Sequence, residues 1–379
     1  MVRTQRGPWL EPGLRYRLTL EVGAGGYERL DRPVEVDLDL AQSLSEHEAT
    51  RAWHEGSWRV AEVSARGELL DGDVPFQLDG ATRGQGVLIF LLRGVTPSDA
   101  VRRFQVYFDP DGSLSARLRL PALVQVTDGV EDEGQECFEV RTPDATYLYQ
   151  KQGAGFSSLL DRDGNDWIGY HPQGGSAGHY RGIPNLGECG HPGYTNSWSR
   201  LESCGPLRAR IHSETLDERW AFAWDIFPHY ARLTLLRAGG NYWFLYEGTP
   251  GGQFDEQGDY CVRSTGERTP ASQVWDEDIP APEWVYFGSG KTRRVLYLIH
   301  HEDDDLPDQY WPMEGNMTVF GFGRRYGSLE RFMERVPAHF TVGFAEDGAL
   351  SVARRVIESA FRELDVRVGP VEDRVCSAD

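Results

Sequence analysis

The chain reads as a mostly β protein, an antiparallel β-sandwich followed by a larger β region that ends in a short helix. Three observations carry that reading. Short segments alternate apolar and polar side chains, the period-two signature of half-buried strands. Gly, Asp, Asn and Pro punctuate them, with 43 glycines among 379 residues. Only two segments repeat their apolar residues at helical spacing. Hydrophobic residues at 40% and aromatics at 12% supply a core, so the chain is not a disordered one.

The first domain, residues 1–125, opens with "RYRLTLEVG" and "RPVEVDLDL", two alternating strands joined through the Gly-rich turn of "EVGAGGYER". "WRVAEVSA", "GVLIFLLRG", "RRFQVYFDP" and "LSARLRLP" follow, the last two divided by the turn "DPDGS". The acidic stretch "DGVEDEGQE" reads as a linker to a second domain over 135–379.

That domain starts with "CFEVRTPDATYLYQK", two strands around a turn, and "GAGFSSLLDRDGNDWIGY", a hairpin turning at Asp163-Gly164-Asn165. Further strands are expected in "PLRARIHSET", "RWAFAWDIFP", "YARLTLLRAG", "NYWFLYEGTPG", "EWVYFGSG", "RRVLYLIHHED" and "MTVFGFGR". The helical segments are "SLERFMERVP" and "GALSVARRVIESAFREL". In the second, Val352, Val356, Ile357, Ala360 and Phe361 form the apolar face and Arg354, Arg355 and Glu358 the outer one.

From "FEVRTPDATYLYQKQGAGFSSLLDRDGNDWIGY" through the long strands to about residue 345, the layout resembles the galactose-mutarotase-like β-supersandwich. The resemblance implies a carbohydrate-active protein of polysaccharide-lyase or glycoside-hydrolase type, with an oligo- or polysaccharide partner. It does not name a reaction.

The densest chemistry lies in "HYRGIPNLGECGHPGYTNSWS", residues 179–199. A lyase acting on a uronic sugar must neutralise the carboxylate, abstract the neighbouring proton and protonate the departing oxygen. Arg181 and Asn185 suit the first task, His179 or His191 the second, and Tyr194 or Tyr180 the third, with Arg200 a second cation. A Gly-rich crossover whose His and Tyr bond to backbone would explain the same letters. In "YWFLYEGTPGGQFD", Tyr246 and Glu247 end a strand beside a Gly-rich turn, which suits a glycoside hydrolase. That reaction needs a second carboxyl, for which Asp255, Glu302 and Asp303 are candidates.

"HHEDDD" at 300–305 offers His300 as an acid or base, and His301, Glu302 and Asp303 as ligands for a divalent cation, Ca²⁺ or Zn²⁺. A solvated acidic loop is the alternative. His229 after Pro228 is a further candidate base. Trp198, Trp243 and Trp311, with Arg200 and Arg324, are the candidate sugar-binding residues, and without catalysis they would make a carbohydrate-binding module. β-Elimination on a uronate-containing glycan is the favoured function, glycoside hydrolysis the alternative.

A net charge of −20 argues against a nucleic-acid partner. No apolar run is long enough to span a membrane, and "MVRTQRGPWLEPG" lacks a signal-peptide core, so a cytoplasmic protein is expected unless a leader precedes it. Neither a GxSxG elbow nor a dinucleotide fingerprint occurs. The five cysteines lack zinc-like spacing; scattered thiols are expected, with a Cys189–Cys204 disulfide the open alternative.

Overall fold

A computed structural model describes residues 9–41, 43–44, 55–82, 84–110 and 121–374. The expected strand "LSARLRLP" lies outside the described residues, apart from its final Pro121. The protein is mostly β and its sheets are antiparallel. Where sequence drew boundaries at 1–125 and 135–379, the contacts gather one unit from residues 1–122, 205–207 and 358–379, and a second from 123–204 and 208–357.

In the first unit, strand Tyr16–Gly23 pairs with Val101–Phe108 on one side and with Asp365–Val368 and Glu372–Asp373 on the other. A second sheet joins Arg29–Asp39, Gln85–Thr96 and Phe76–Thr82. Alternation decides which side chains point inward. Tyr16, Leu18, Leu20 and Val22 from the first sheet share one core with Val34, Val36 and Leu38 from the second. Phe90 and Phe104 meet between the sheets, their ring centres 4.7 Å apart. Arg29 is fully buried and donates to the carbonyls of Ala24, Arg362 and Glu363 at 2.6–2.8 Å, so its charge serves carbonyls left open after the last helical turn.

The second unit is built on a nine-stranded sheet running from Ser197–Cys204 at one edge to Arg268–Pro270 at the other. Two four-stranded sheets share its core. Phe156 of the strand Gly155–Asp161 meets Trp224 at 4.7 Å, and Phe244 of Phe244–Gly248 stacks on Phe340 at 4.3 Å. Each such ring, removed from water, contributes about 1.5–3 kcal/mol. Buried Asp225 draws the guanidinium groups of Arg210, Arg208 and Arg232 to 2.8, 3.4 and 3.3 Å.

Three local expectations need correction. "DGVEDEGQE" is no linker: Gln125–Asp132 and Gln135–Arg141 form a hairpin turning at Glu133 and Gly134, both at positive φ. Its charges fit because the outer strand is largely exposed. "SLERFMERVP" is not helical; Met333 and Arg331 bridge to Tyr242 and Arg324, and Leu329 is 86% exposed. The helix Leu350–Phe361 does form, but it buries Ala353, Ile357 and Ala360, while Val352 faces water. Cys189 and Cys204 are not joined in a disulfide, and neither are Cys137 and Cys261. No helix among the described residues is long and apolar enough to cross a membrane.

Candidate active site

The loop over 179–199 is tied to strand Phe244–Gly248 by a two-way bridge. Gly182 N–H donates to Glu247 O at 2.8 Å, and Glu247 N–H donates back at 3.0 Å. Three glycines then let His191 and Pro192 press against neighbouring backbone. A Cβ on Gly153 would lie 2.9 Å from His191 O, and one on Gly155 2.8 Å from Pro192 Cδ. One on Gly182 would strike the same proline ring. Only glycine admits so close an approach.

This packing brings Glu247, Asn185 and His191 together. Asn185 Nδ2 donates to Glu247 Oε2 at 3.0 Å, while Asn185 Oδ1 accepts the Gly187 N–H at 2.9 Å. His191 Nε2 lies 3.6 Å from Glu247 Oε2. The same nitrogen faces Tyr180 O at 2.8 Å, and Nδ1 faces Pro192 O at 2.6 Å. A carbonyl only accepts, so both contacts are hydrogen bonds only when the ring carries both protons. With both ring nitrogens turned to backbone carbonyls, His191 is held in place and presents neither nitrogen to a substrate as a base. Burial pushes the Glu247 carboxyl above the usual range, opposed by His191, Asn185 and Arg324.

Around this trio stand Tyr194, Trp243 and two arginines. The Tyr194 ring lies 5.2 Å from that of His191, and burial with the Glu247 charge raises its phenol. Arg324 and Arg331 approach the Trp243 ring at 5.0 and 5.4 Å. They differ in one respect. Arg331 is committed to Glu188 at 3.0 Å and to Gly187 O, whereas Arg324 has no hydrogen bond or ion pair from its guanidinium among the described residues. Burial pulls Arg324 down from its ordinary value and the Glu247 charge opposes that.

The remaining sequence candidates lie elsewhere. Arg181 donates to Gly169 O and Asn316 O, both at 3.2 Å, and lines a separate cleft. Tyr246 is on the opposite face of its strand from Glu247, fully buried, and donates to Trp167 O at 2.7 Å. His179 ends the short helix Gly175–Tyr180, with the Tyr180 ring as its recorded neighbour. Trp198 keeps company with His212 and Arg200, the latter paired with Glu202 at 2.8 Å. Trp311 packs edge-on against Tyr326. His229 is bonded to Asp144 at 2.7 Å. Of the carboxyls considered as partners for Glu247, Glu302 is held by His339 at 2.6 Å, and Asp255 caps its own turn through Gln257 N–H. Arg331 and Glu188 escaped the sequence reading because Arg331 sat in a segment read as helix.

A second polar cluster surrounds His300. The ring stacks on Phe340 at 4.9 Å, its Nδ1 lies 2.6 Å from Glu283 Oε2 and 3.9 Å from Asp304 Oδ2. These three atoms lie within 4.8 Å of one another, an N,O,O set that could hold a divalent cation such as Zn²⁺ or Mn²⁺. It is not the set read from sequence. His301 turns to Thr341 Oγ1 at 2.8 Å, Glu302 to His339, and Asp303 is exposed. Deep beside the cluster, burial and the Glu283 charge raise Asp308 well above the usual carboxylate range, and its two oxygens accept the N–H groups of Ile279 and Gly323.

No family profile matches the chain, and no curated protein matches it in sequence. Among solved structures it is similar to HI1317, with 12% identity and a TM-score of 0.36, over 60% of this chain and 98% of that one. It is similar to YeaD from Salmonella typhimurium, described as a candidate mutarotase, with 12% identity and a TM-score of 0.36, over 60% of this chain and 95% of that one. Both likenesses are distant ones.

Proposed function

We propose that the protein is a carbohydrate-active enzyme that cleaves an acidic sugar by β-elimination at Glu247. The observation that carries the reading is Arg324, a largely enclosed guanidinium with no anionic partner among the described residues beyond the nearby Glu247 charge. A sugar carboxylate placed on Arg324 would have its charge neutralised, which acidifies the proton on the adjoining carbon. Glu247 takes that proton. The electron pair forms the new carbon–carbon double bond, the bond to the β-oxygen breaks, and Tyr194 protonates that oxygen. His191 and Asn185 hold the Glu247 carboxylate in place and are positioning residues in this scheme. In sequence, Arg181 and Asn185 suited the neutralising task and His179 or His191 the base; the geometry favours Arg324 and Glu247 for them.

Hydrolysis remains the second reading, because a carboxyl raised by burial also suits a general acid. The test is one assay with two signals. The protein is incubated with uronate-containing and neutral glycans while new reducing ends and the ultraviolet absorbance of the conjugated double bond are followed together. β-Elimination raises both signals, on uronates only, and Arg324→Gln lowers kcat/KM by about tenfold or more, the loss expected for one charge-assisted hydrogen bond. Reducing ends without absorbance overturn the lyase reading in favour of hydrolysis.

A further inference from the structure

The polar cleft that holds Arg181 is separate from the Glu247 site. In the two-way bridge, Gly182 and Glu247 stand opposite one another and so share a face; Arg181, one residue earlier, is sent to the other face, where the Tyr246 phenol lies close enough to act on its charge. There Arg181 lines a cleft of about 240 Å³ with Thr249, Gln253, Phe254 and Asn316.

Four features of this cleft point to an anion. The Arg181 charge has no ion pair among the described residues. Its Nε–H is buried and has no hydrogen-bond partner there, so one edge of the fork is unused. The nearby carboxylate of Asp166 spends Oδ1 on the N–H groups of Leu159 and Ile168. A second cation, Lys291, reaches Gln253 O at 3.1 Å and acts on the Asp259 charge, but forms no ion pair among the described residues. In a chain of net charge −20, two cations that form no ion pair among the described residues beside one cleft are uncommon company. Two of Arg181's five N–H groups anchor the backbone at Gly169 and Asn316; that explains its position but not the remaining donors.

The rest of the lining narrows the ligand. The Gln253 side-chain amide and the Thr249 oxygen offer hydrogen bonds of the kind sugar hydroxyls use, and Phe254 adds one apolar face. The volume falls below the roughly 300 Å³ at which pockets for drug-sized molecules begin. We infer that this cleft is a second saccharide site, one that binds a single carboxylate-bearing sugar through Arg181. It rests on the proposed function only for the sugar class, and its position makes it a recognition site rather than part of the reacting centre.

The experiment is calorimetric titration of D-glucuronate, with D-glucose as the neutral control, into the Arg324→Gln protein, where the Glu247 site is weakened. Binding of glucuronate but not glucose, reduced at least tenfold by adding Arg181→Gln, supports the inference. Gln253→Glu provides the second variant. It leaves both backbone anchors of Arg181 intact and places a competing carboxylate at the cleft, so it too should abolish binding. Unchanged binding in a folded Arg181→Gln protein and in Gln253→Glu overturns the inference, as does equal binding of glucose. If Arg324→Gln alone leaves turnover of every glycan unchanged, the proposed reaction fails while the Arg181 result still stands or falls by itself.

Discussion

Asn185 donates its amide to Glu247 Oε2 over 3.0 Å, and the Gly187 N–H on its other end fixes which way that amide faces. The buried carboxyl is therefore met by a donor whose orientation it does not control. Together with His191 at 3.6 Å, this gives Glu247 two polar neighbours in a place where burial alone would favour its neutral form.

Catalysis by Glu247 should show that balance in its pH profile. As a base it must be ionised, so the rate rises with pH through its raised pKa, with a midpoint above the ordinary 4.5 of a glutamate. Arg324→Gln removes one of the charges holding the pKa down and should move the midpoint higher still. Glu247→Gln should cost about 10²–10⁴ in kcat. Initial rates against pH for the three proteins check this, and an acid limb unmoved in Arg324→Gln would count against the assignment.

Gly182→Ala tests the seating of His191. The new methyl collides with the Pro192 ring, and overpacking of this kind costs about 1–3 kcal/mol. Denaturant titration should report that loss, accompanied by a fall in kcat because His191 moves with its neighbour. Gly26→Ala makes a control: its added methyl meets nothing within 4 Å, although its positive φ brings some strain.

Asp225→Ala should be among the more damaging single changes in the second unit. It strips three arginines of a shared carboxylate that is 1% exposed. Breaking a buried pair from one side costs about 3–5 kcal/mol, to be read as a lowered denaturation midpoint.

Asp308 makes stability fall with rising pH. Its folded pKa is raised above the unfolded value, so the folded state holds a proton that the unfolded state releases. Its contribution is complete below about 3.8 and is lost as pH climbs towards the folded pKa. Asp308→Asn carries a constant penalty, because its amide must face either Ile279 N–H or Gly323 N–H, but no titration. Wild type should therefore lose stability more steeply than Asp308→Asn, by up to about 1.4 kcal/mol per pH unit over that window. Parallel stability curves would refute the assignment.

Much of the architecture could be read from local sequence because burial follows alternation. Leu18, Leu20 and Val22 are inward for the same reason that their letters alternate with Thr19 and Glu21. The failures have local causes too. The hairpin over Gln125–Arg141 looked like a linker because its outer strand faces water and needs no apolar side. "SLERFMERVP" has the spacing of a helix, but Met333 is claimed by a bridge to Tyr242 from far along the chain. For the candidate site, residue types were legible and pairings were not. Asn185, His191 and Tyr194 lie close in sequence; that they surround Glu247 depends on the Gly182 bridge, and that Arg181 does not join them depends on one step of alternation.

The strand Tyr16–Gly23 lies between Val101–Phe108 and the tail strands Asp365–Val368 and Glu372–Asp373, and Arg29 donates to carbonyls at 362 and 363. On the ribosome, then, Tyr16–Gly23 emerges long before the strands that cover one of its sides. Until synthesis has passed residue 373, one side of Tyr16–Gly23 is a bare edge with open N–H and C=O groups, a template for pairing with other chains. A nascent chain stopped before residue 365 would carry that edge permanently, so its fate is decided by chaperones and proteases rather than by the chemistry at Glu247.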